Sequence, residues 1–253
     1  MTWFECVTIL LAGVAAGTIN TVVGSGTLIT FPTLLAFGVP PVTANVSNTI
    51  GLVPGSLSGA WGYRAELAGQ RGRLLKLGCA SLLGGIIGAV LLLELPSSAF
   101  DAIVPVLIGL GVVLVILGPR ISARVAARAA ERGGLPEHGA GWVWPAVAGT
   151  GVYGGYFGAA QGVLLLAILG IGVDDTLQRH NATKNILAAL VNGVAAVIFI
   201  VVADVDWKIV GLIAAGAIVG GQVGASVGRK LPPQVLRGFI VVVGIAALIG
   251  FFV

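Results

Sequence analysis

Charge is what this sequence has least of. Among 253 residues there are 14 Lys or Arg, 10 Asp or Glu and two His. A soluble domain carries about a quarter charged residues, so there is too little polar surface here to cover a globule in water. A water-soluble enzyme is excluded. Cysteine is scarce as well: Cys6 and Cys79 lie in apolar runs without metal-ligand or redox spacing, and they read as inert core residues. HExxH, a Walker A loop, a Rossmann fingerprint and CxxC are all missing, so neither a cofactor nor a metal is expected. Gly224-Ala225-Ser226-Val227-Gly228 matches G-x-S-x-G, but it ends an apolar helical run and has no strand-to-helix elbow, so a serine hydrolase is discarded. The basic n-region of a cleaved leader is missing too. Glu5 is the only charge before the first apolar run, which is kept in the mature protein.

In place of charge there is apolar length. Hydrophobic residues make up 57% of the chain, glycine contributes 40 residues, and mean hydropathy is +1.04. At about 20 apolar residues per crossing, the length allows about six to eight membrane spans. Apolar runs occupy Phe4–Val23, Thr27–Gly38, Val42–Tyr63, Leu74–Leu93, Ala99–Gly118, Val143–Phe157, Gly162–Gly172, Thr176–Ala203, Ile209–Val227 and Val235–Val253. Thr27–Gly38, Val143–Phe157 and Gly162–Gly172 are too short for a hydrocarbon core of about 30 Å. They read as half-helices beside the glycine-rich breaks Gly24-Ser25-Gly26 and Gly154-Gly155 to Gly162. If each broken pair crossed once, Arg179, Lys184, Arg229, Lys230 and Arg237 would lie outside. If each pair is a re-entrant hairpin, every basic residue except Lys208 lies on or near the inner side. The positive-inside rule selects the hairpins and six crossing helices.

The chain also repeats itself. Gly84-Gly85-Ile86-Ile87-Gly88-Ala89 ending in Leu95-Pro96 recurs, at a spacing of 136, as Gly220-Gly221-Gln222-Val223-Gly224-Ala225 ending in Leu231-Pro232. The same offset carries Asn45 to Asn181, Ser47 to Thr183, Asn48 to Lys184, Thr49 to Asn185 and Ser56 to Asn192. Near the hairpins it slips by two, pairing Gly38-Val39 with Gly172-Val173. A hairpin plus three crossings is an odd unit, so the second copy is expected upside down. The fold class is therefore all-α and polytopic in the membrane, with two inverted repeats, residues 1–119 and 142–253, joined by a basic cytoplasmic linker, 120–141. Inverted repeats with broken helices mark secondary transporters whose site lies near the midplane. A duplicated bundle that does not transport is the alternative.

Several polar groups fall inside these spans. Asn45, Asn48, Thr49 and Ser56 share one helix face, and Asn181, Lys184, Asn185 and Asn192 share the matching one. Both faces are expected to look into the bundle, either as interhelical contacts or as the lining of a cavity. Lys184 lies about 12 Å into its helix, with no acidic residue at its depth. It then needs a transported anion, or it snorkels to the inner interface. His180, one turn earlier, is interfacial or a carrier of coupled protons. The half-helix starts Gly24-Ser25-Gly26-Thr27 and Ala160-Gln161-Gly162 offer backbone N–H groups and the positive end of a helix dipole, which suit an anion. Arg120, Arg124, Arg128 and Arg132 form a stripe suited to anionic lipid headgroups rather than nucleic acid. The sequons at Asn45 and Asn181 fall within membrane helices.

The stretch from Ala16-Gly17 through Gly24-Ser25-Gly26-Thr27-Leu28-Ile29-Thr30-Phe31-Pro32, then Val42-Thr43-Ala44-Asn45 and a second copy after Gly158, resembles the TauE/SafE family of membrane proteins, described as sulfite or organosulfonate exporters. The resemblance covers essentially the whole chain outside Arg120–Gly141. It implies export of sulfite, sulfoacetate or a related sulfur-containing anion across the cell membrane, coupled to protons or the membrane potential. The expected substrate-binding set is Gly24, Ser25, Gly26, Thr27, Asn45, Asn48, Thr49, Gln161, Gly162, Asn181, Lys184 and Asn185. An anion channel and a non-transporting scaffold are the other readings.

Overall fold

The computed structural model describes residues 1–131, 139–227, 230 and 233–252. Arg132, Gly228, Arg229 and the Leu231-Pro232 pair lie outside them. The described residues form ten helices and no strand: α1 Trp3–Val22, α2 Thr27–Ala36, α3 Pro41–Gly62, α4 Arg71–Glu94, α5 Ser97–Glu131, α6 Val143–Tyr156, α7 Gln161–Gly172, α8 Leu177–Val202, α9 Trp207–Ser226 and α10 Pro233–Phe252. Local chemistry sets several of these starts. Thr2 and Glu5 make a reciprocal capping box on α1, Thr176 accepts from Arg179 N on α8, and Asp206 accepts from Lys208 N and Ile209 N on α9.

The three half-helices have the expected shortness: α2 has 10 residues, α6 has 14 and α7 has 12. Among the described residues, five helices are long and apolar enough to cross a membrane: α1, α4, the Ser97–Arg120 part of α5, α8 and α9. Two details differ from the sequence reading. Helix α1, expected as half of a re-entrant hairpin, qualifies as a span by its 20 residues, while α3, with 22, does not. The reason lies in α3's polar stripe: Asn45, Ser47, Asn48, Thr49 and Ser56 lower its hydropathy, yet all are buried against other helices rather than lipid. Cys79 is also exposed rather than core. It belongs to the outward face of α4 with Leu75, Leu83, Ile86 and Ile87, where a thiol behaves as a small hydrophobe.

Packing is set by glycine. In α4, a Cβ at Gly84 would lie 2.2 Å from Ala148 O of α6, and one at Gly88 would lie 2.1 Å from Val152 O. In α9, a Cβ at Gly220 would lie 2.1 Å from Val14 O of α1, and one at Gly224 would lie 2.7 Å from Thr18 O. Glycines related by the 136-residue repeat thus meet backbone at related places, α4 on α6 and α9 on α1. Between lipid-facing helices there is little hydrophobic drive, so such backbone approach supplies the attraction. Helix α3 extends the arrangement by packing Gly51 and Gly55 on Ile213 and Ala217 of α9.

Gly88→Ala and Gly220→Ala are each expected to lower the melting temperature in detergent, because backbone must move to admit the methyl group. Gly193→Ala and Gly211→Ala meet nothing within 4 Å and are expected to leave it unchanged or raise it.

Candidate functional site

A helix that stops in a buried interior leaves backbone groups without partners, and water is not there to replace them. The two breaks solve this problem by meeting. The amide of Gly162, second residue of α7, donates to Gly24 O at 3.0 Å. The approach is so close that a Cβ on either glycine would lie 2.4 Å from the other's Cα. Gly24 also turns with φ +89°, a left-handed conformation that glycine adopts without a steric penalty. Ala160, just before α7, is left-handed without being glycine, at φ 61°, a conformation that stores strain.

The carbonyl ends are capped from the opposite half of the chain. Lys184 of α8 is fully buried, and its ammonium donates to Asn20 O and Thr21 O in the last turn of α1, both at 2.9 Å. Asn185 adds a donation to Thr21 O at 3.4 Å. On the other side, Asn45 Nδ2 of α3 donates to Tyr156 O, the last residue of α6, at 2.9 Å. A cation at a helix C-terminus meets the negative end of its dipole. Lys184 therefore does not snorkel: its charge is turned inward onto the first break, and its stem packs over Gly162.

The remaining residues of the expected set are also enclosed in the protein. Gly24, Ser25, Gly26, Thr27, Asn48, Thr49, Gln161, Gly162 and Asn181 are all buried. Asn48 donates to Thr27 Oγ1 at 3.3 Å and accepts a short bond from Thr30 Oγ1. Gln161 lies against Gly154 across the second break. Phe31 of α2 packs edge-on against Phe157, between α6 and α7, with ring centroids 5.1 Å apart, and Phe100 of α5 closes the aromatic group. Not every buried polar atom here has a protein partner. Ser25 Oγ, Gln161 Nε2 and the Oδ1 atoms of Asn45 and Asn181 have none. His180 is buried rather than interfacial, with its Nε2 likewise unpartnered.

Sequence reasoning missed two groups. Asn20 of α1 donates to Ser56 at 3.2 Å, and Thr30 joins Asn48. The larger omission is an ionic cluster: Arg73 Nη1 donates to Asp175 Oδ2 at 2.6 Å, and Arg179 Nε lies 2.8 Å from Asp175 Oδ1. Gln70 joins it, accepting from Arg73 at 2.8 Å and from Thr183 at 2.7 Å. Burial pushes the Asp175 carboxyl up, but the hydrogen bonds from Arg73 and Arg179, with the Thr176 amide, outweigh it and hold the group below the usual carboxylate range. The sequence signal was available in the unpaired acidic dipeptide Asp174-Asp175 just before α8.

Long apolar helices closed around interrupted ones define a helical membrane protein whose buried polar groups collect at the breaks. The chain belongs to the TauE/SafE family of membrane transporters, whose model, described as sulfite exporter TauE/SafE, matches residues 9–251. A probable membrane transporter protein of a Sinorhizobium species is 26% identical over 251 residues, covering 95% of this chain and 90% of that protein. The probable membrane transporter protein YfcA of Escherichia coli K12 is 25% identical over 231 residues, covering 90% and 82%. A probable membrane transporter protein of Haemophilus influenzae is 23% identical over 230 residues, covering 91% and 88%. No solved structure matches the chain.

Lys184→Met and Asn45→Ala are each expected to destabilise the protein by about 1–3 kcal/mol, because each strands buried carbonyls. Thermal unfolding in detergent checks this; an unchanged melting temperature for both would mean that the breaks do not depend on these caps.

Proposed function

We propose that this chain is a secondary-active carrier in the cell membrane that exports a small sulfur-containing oxyanion or organosulfonate, such as sulfite or sulfoacetate, by alternating access between two inverted repeats. The observation that carries the reading is the set of buried donors without protein partners, Ser25 Oγ and Gln161 Nε2, beside the point where the two breaks touch. A buried donor without a partner costs about 1–3 kcal/mol, and a visiting anion would satisfy both at once. The starts of α2 and α7 add the positive ends of their dipoles, and Lys184 adds the one full charge near the contact. An oxyanion presents acceptor oxygens, which suit the two unpartnered donors Ser25 Oγ and Gln161 Nε2. Sulfite and the sulfonates enter through the family to which the chain belongs; the residues themselves support the class, a small anion.

The re-entrant, inverted arrangement is supported by the crossed caps, with α8 serving the end of α1 and α3 the end of α6, and by the repeat-related glycine contacts. A site shared by two such units lets one half rock against the other and expose the anion to each side in turn. Proton coupling, if carried by His180, would use its unpartnered Nε2.

The test is a thermal-shift series with sulfite, sulfate, thiosulfate, sulfoacetate and taurine, followed by counter-flow of labelled anion in proteoliposomes. A bound anion is expected to raise the melting temperature with concentration. Ser25→Ala and Gln161→Leu are expected to abolish that rise and cut flux about tenfold or more, a loss of about 1.4 kcal/mol. They should not lower the ligand-free melting temperature, since each removes a donor that has no partner. Flux and anion stabilisation that survive both substitutions would overturn the reading and favour a scaffold; conductance without saturation would favour a channel.

A further inference from the structure

We propose that Arg73, Asp175 and Arg179, with Gln70 and Thr183, form a latch that shuts the basic end of the molecule, and that the conformer seen is the one open at the opposite, acidic end. The inference rests on the alternating-access reading and adds to it the closing residues and the state.

The cluster joins parts of the chain that are far apart in sequence. Gln70 immediately precedes α4 and Arg73 lies in its first turn, whereas Asp175 precedes α8 and Arg179 and Thr183 lie in that helix's first two turns. Asp175 holds both arginines, Gln70 links Arg73 to Thr183, and Arg179 Nη1 reaches back to Ala68 O at 3.1 Å. The start of α8 is thereby tied to the start of α4 and to the connection before it. Arg73 is only 4% exposed, so the tie is nearly dry. Such a pair is costly to part unless water enters as it opens, the behaviour expected of a gate.

The repeat supplies the comparison at the other end. At the offset of 136, Gln70 corresponds to Asp206, Arg73 to Ile209, Thr183 to Ser47 and Arg179 to Thr43. One strand of the latch is kept there: Ser47 Oγ accepts from Asp206 N at 3.0 Å. The ionic strands are gone. Both arginine positions hold uncharged residues, and the Asp206 carboxylate is occupied in capping α9. The second copy is also two residues longer between Gly172 and Asn181 than the first between Gly38 and Asn45, where Asp174-Asp175 stands. At the acidic end, where the latch would be, there is instead a shallow surface hollow of about 510 Å³, lined by Thr43 and Asp206 with Pro40, Asp204, Val205, Trp207 and Lys208. No ion pair among the described residues crosses it.

Thiol labelling tests the latch. In a Cys6→Ala, Cys79→Ala background, Thr43→Cys reports on the hollow and Ala182→Cys, fully buried beside Thr183, on the latched end. In detergent a hydrophilic maleimide reaches both ends. Asp175→Asn is expected to raise labelling of Ala182→Cys about tenfold and to slow that of Thr43→Cys, because one population grows as the other falls. Arg179→Gln, at a side chain 32% exposed and so safe for folding, is expected to act in the same direction. Unchanged rates in folded variants, or two rates that rise together, would overturn the latch. If sulfite shifts the parent's labelling while these substitutions do not, carriage stands and the latch falls. If the substitutions drive the two rates in opposite directions and no anion is carried, the latch stands and the carrier reading falls.

Discussion

The structure depends on one electrostatic constraint: a helix can end in the protein interior, away from water, only if its exposed backbone groups find partners within the protein. Here they find them across the molecule. The carbonyls closing α1 are met by the ammonium of Lys184 and the amide of Asn185, and the carbonyl closing α6 is met by Asn45. The carbonyl of Gly24, within the first break, receives the amide of Gly162 from the second. Neither break could form alone, because each is completed by side chains that the other half of the chain supplies.

Close packing follows from the same need. For a capping amide to reach a carbonyl on another helix, the backbones must come nearly into contact, and only glycine at the crossing points allows it. Gly84 and Gly88 bring α4 onto α6, while Gly220 and Gly224 bring α9 onto α1. The helices that carry the breaks are thus held by the other half through rigid surfaces. The atoms without protein partners at Ser25 and Gln161 sit on that frame, and the proposed anion site rests on their being held there.

Much of the architecture was legible from residue order. Apart from α5, which continues to Glu131 well beyond its apolar run, the observed helices fall on the apolar runs to within a few residues, since burial of apolar surface makes hydropathy a direct readout of helix placement. The starts moved where capping chemistry competed, as at Trp207, which opens α9 two residues before the apolar run begins because Asp206 accepts from Lys208 N and Ile209 N. The polar faces of α3 and α8 were legible from helical spacing, and they are buried. Partners were not. Depth in the helix showed that Lys184 required something negative, but a backbone carbonyl carries no sequence signature, so the end of α1 could not be named. Arg73 and Arg179 likewise read as ordinary inner-side basic residues, because their meeting at Asp175 joins segments about a hundred residues apart.

Residue order by itself determined that this chain belongs among helices in an apolar medium, where those helices lie, which three are too short, and that one unit was written twice. Each of these is local or periodic, and the free energy of burying apolar surface is roughly additive along the chain. Tertiary structure alone decided which polar group answers which, that the buried Lys184 ammonium faces a helix end, and that Asp175 ties the start of α8 to the start of α4. Hydrogen bonds and ion pairs are directional and short in range, so they exist only once distant segments have been brought within about 3 Å of each other.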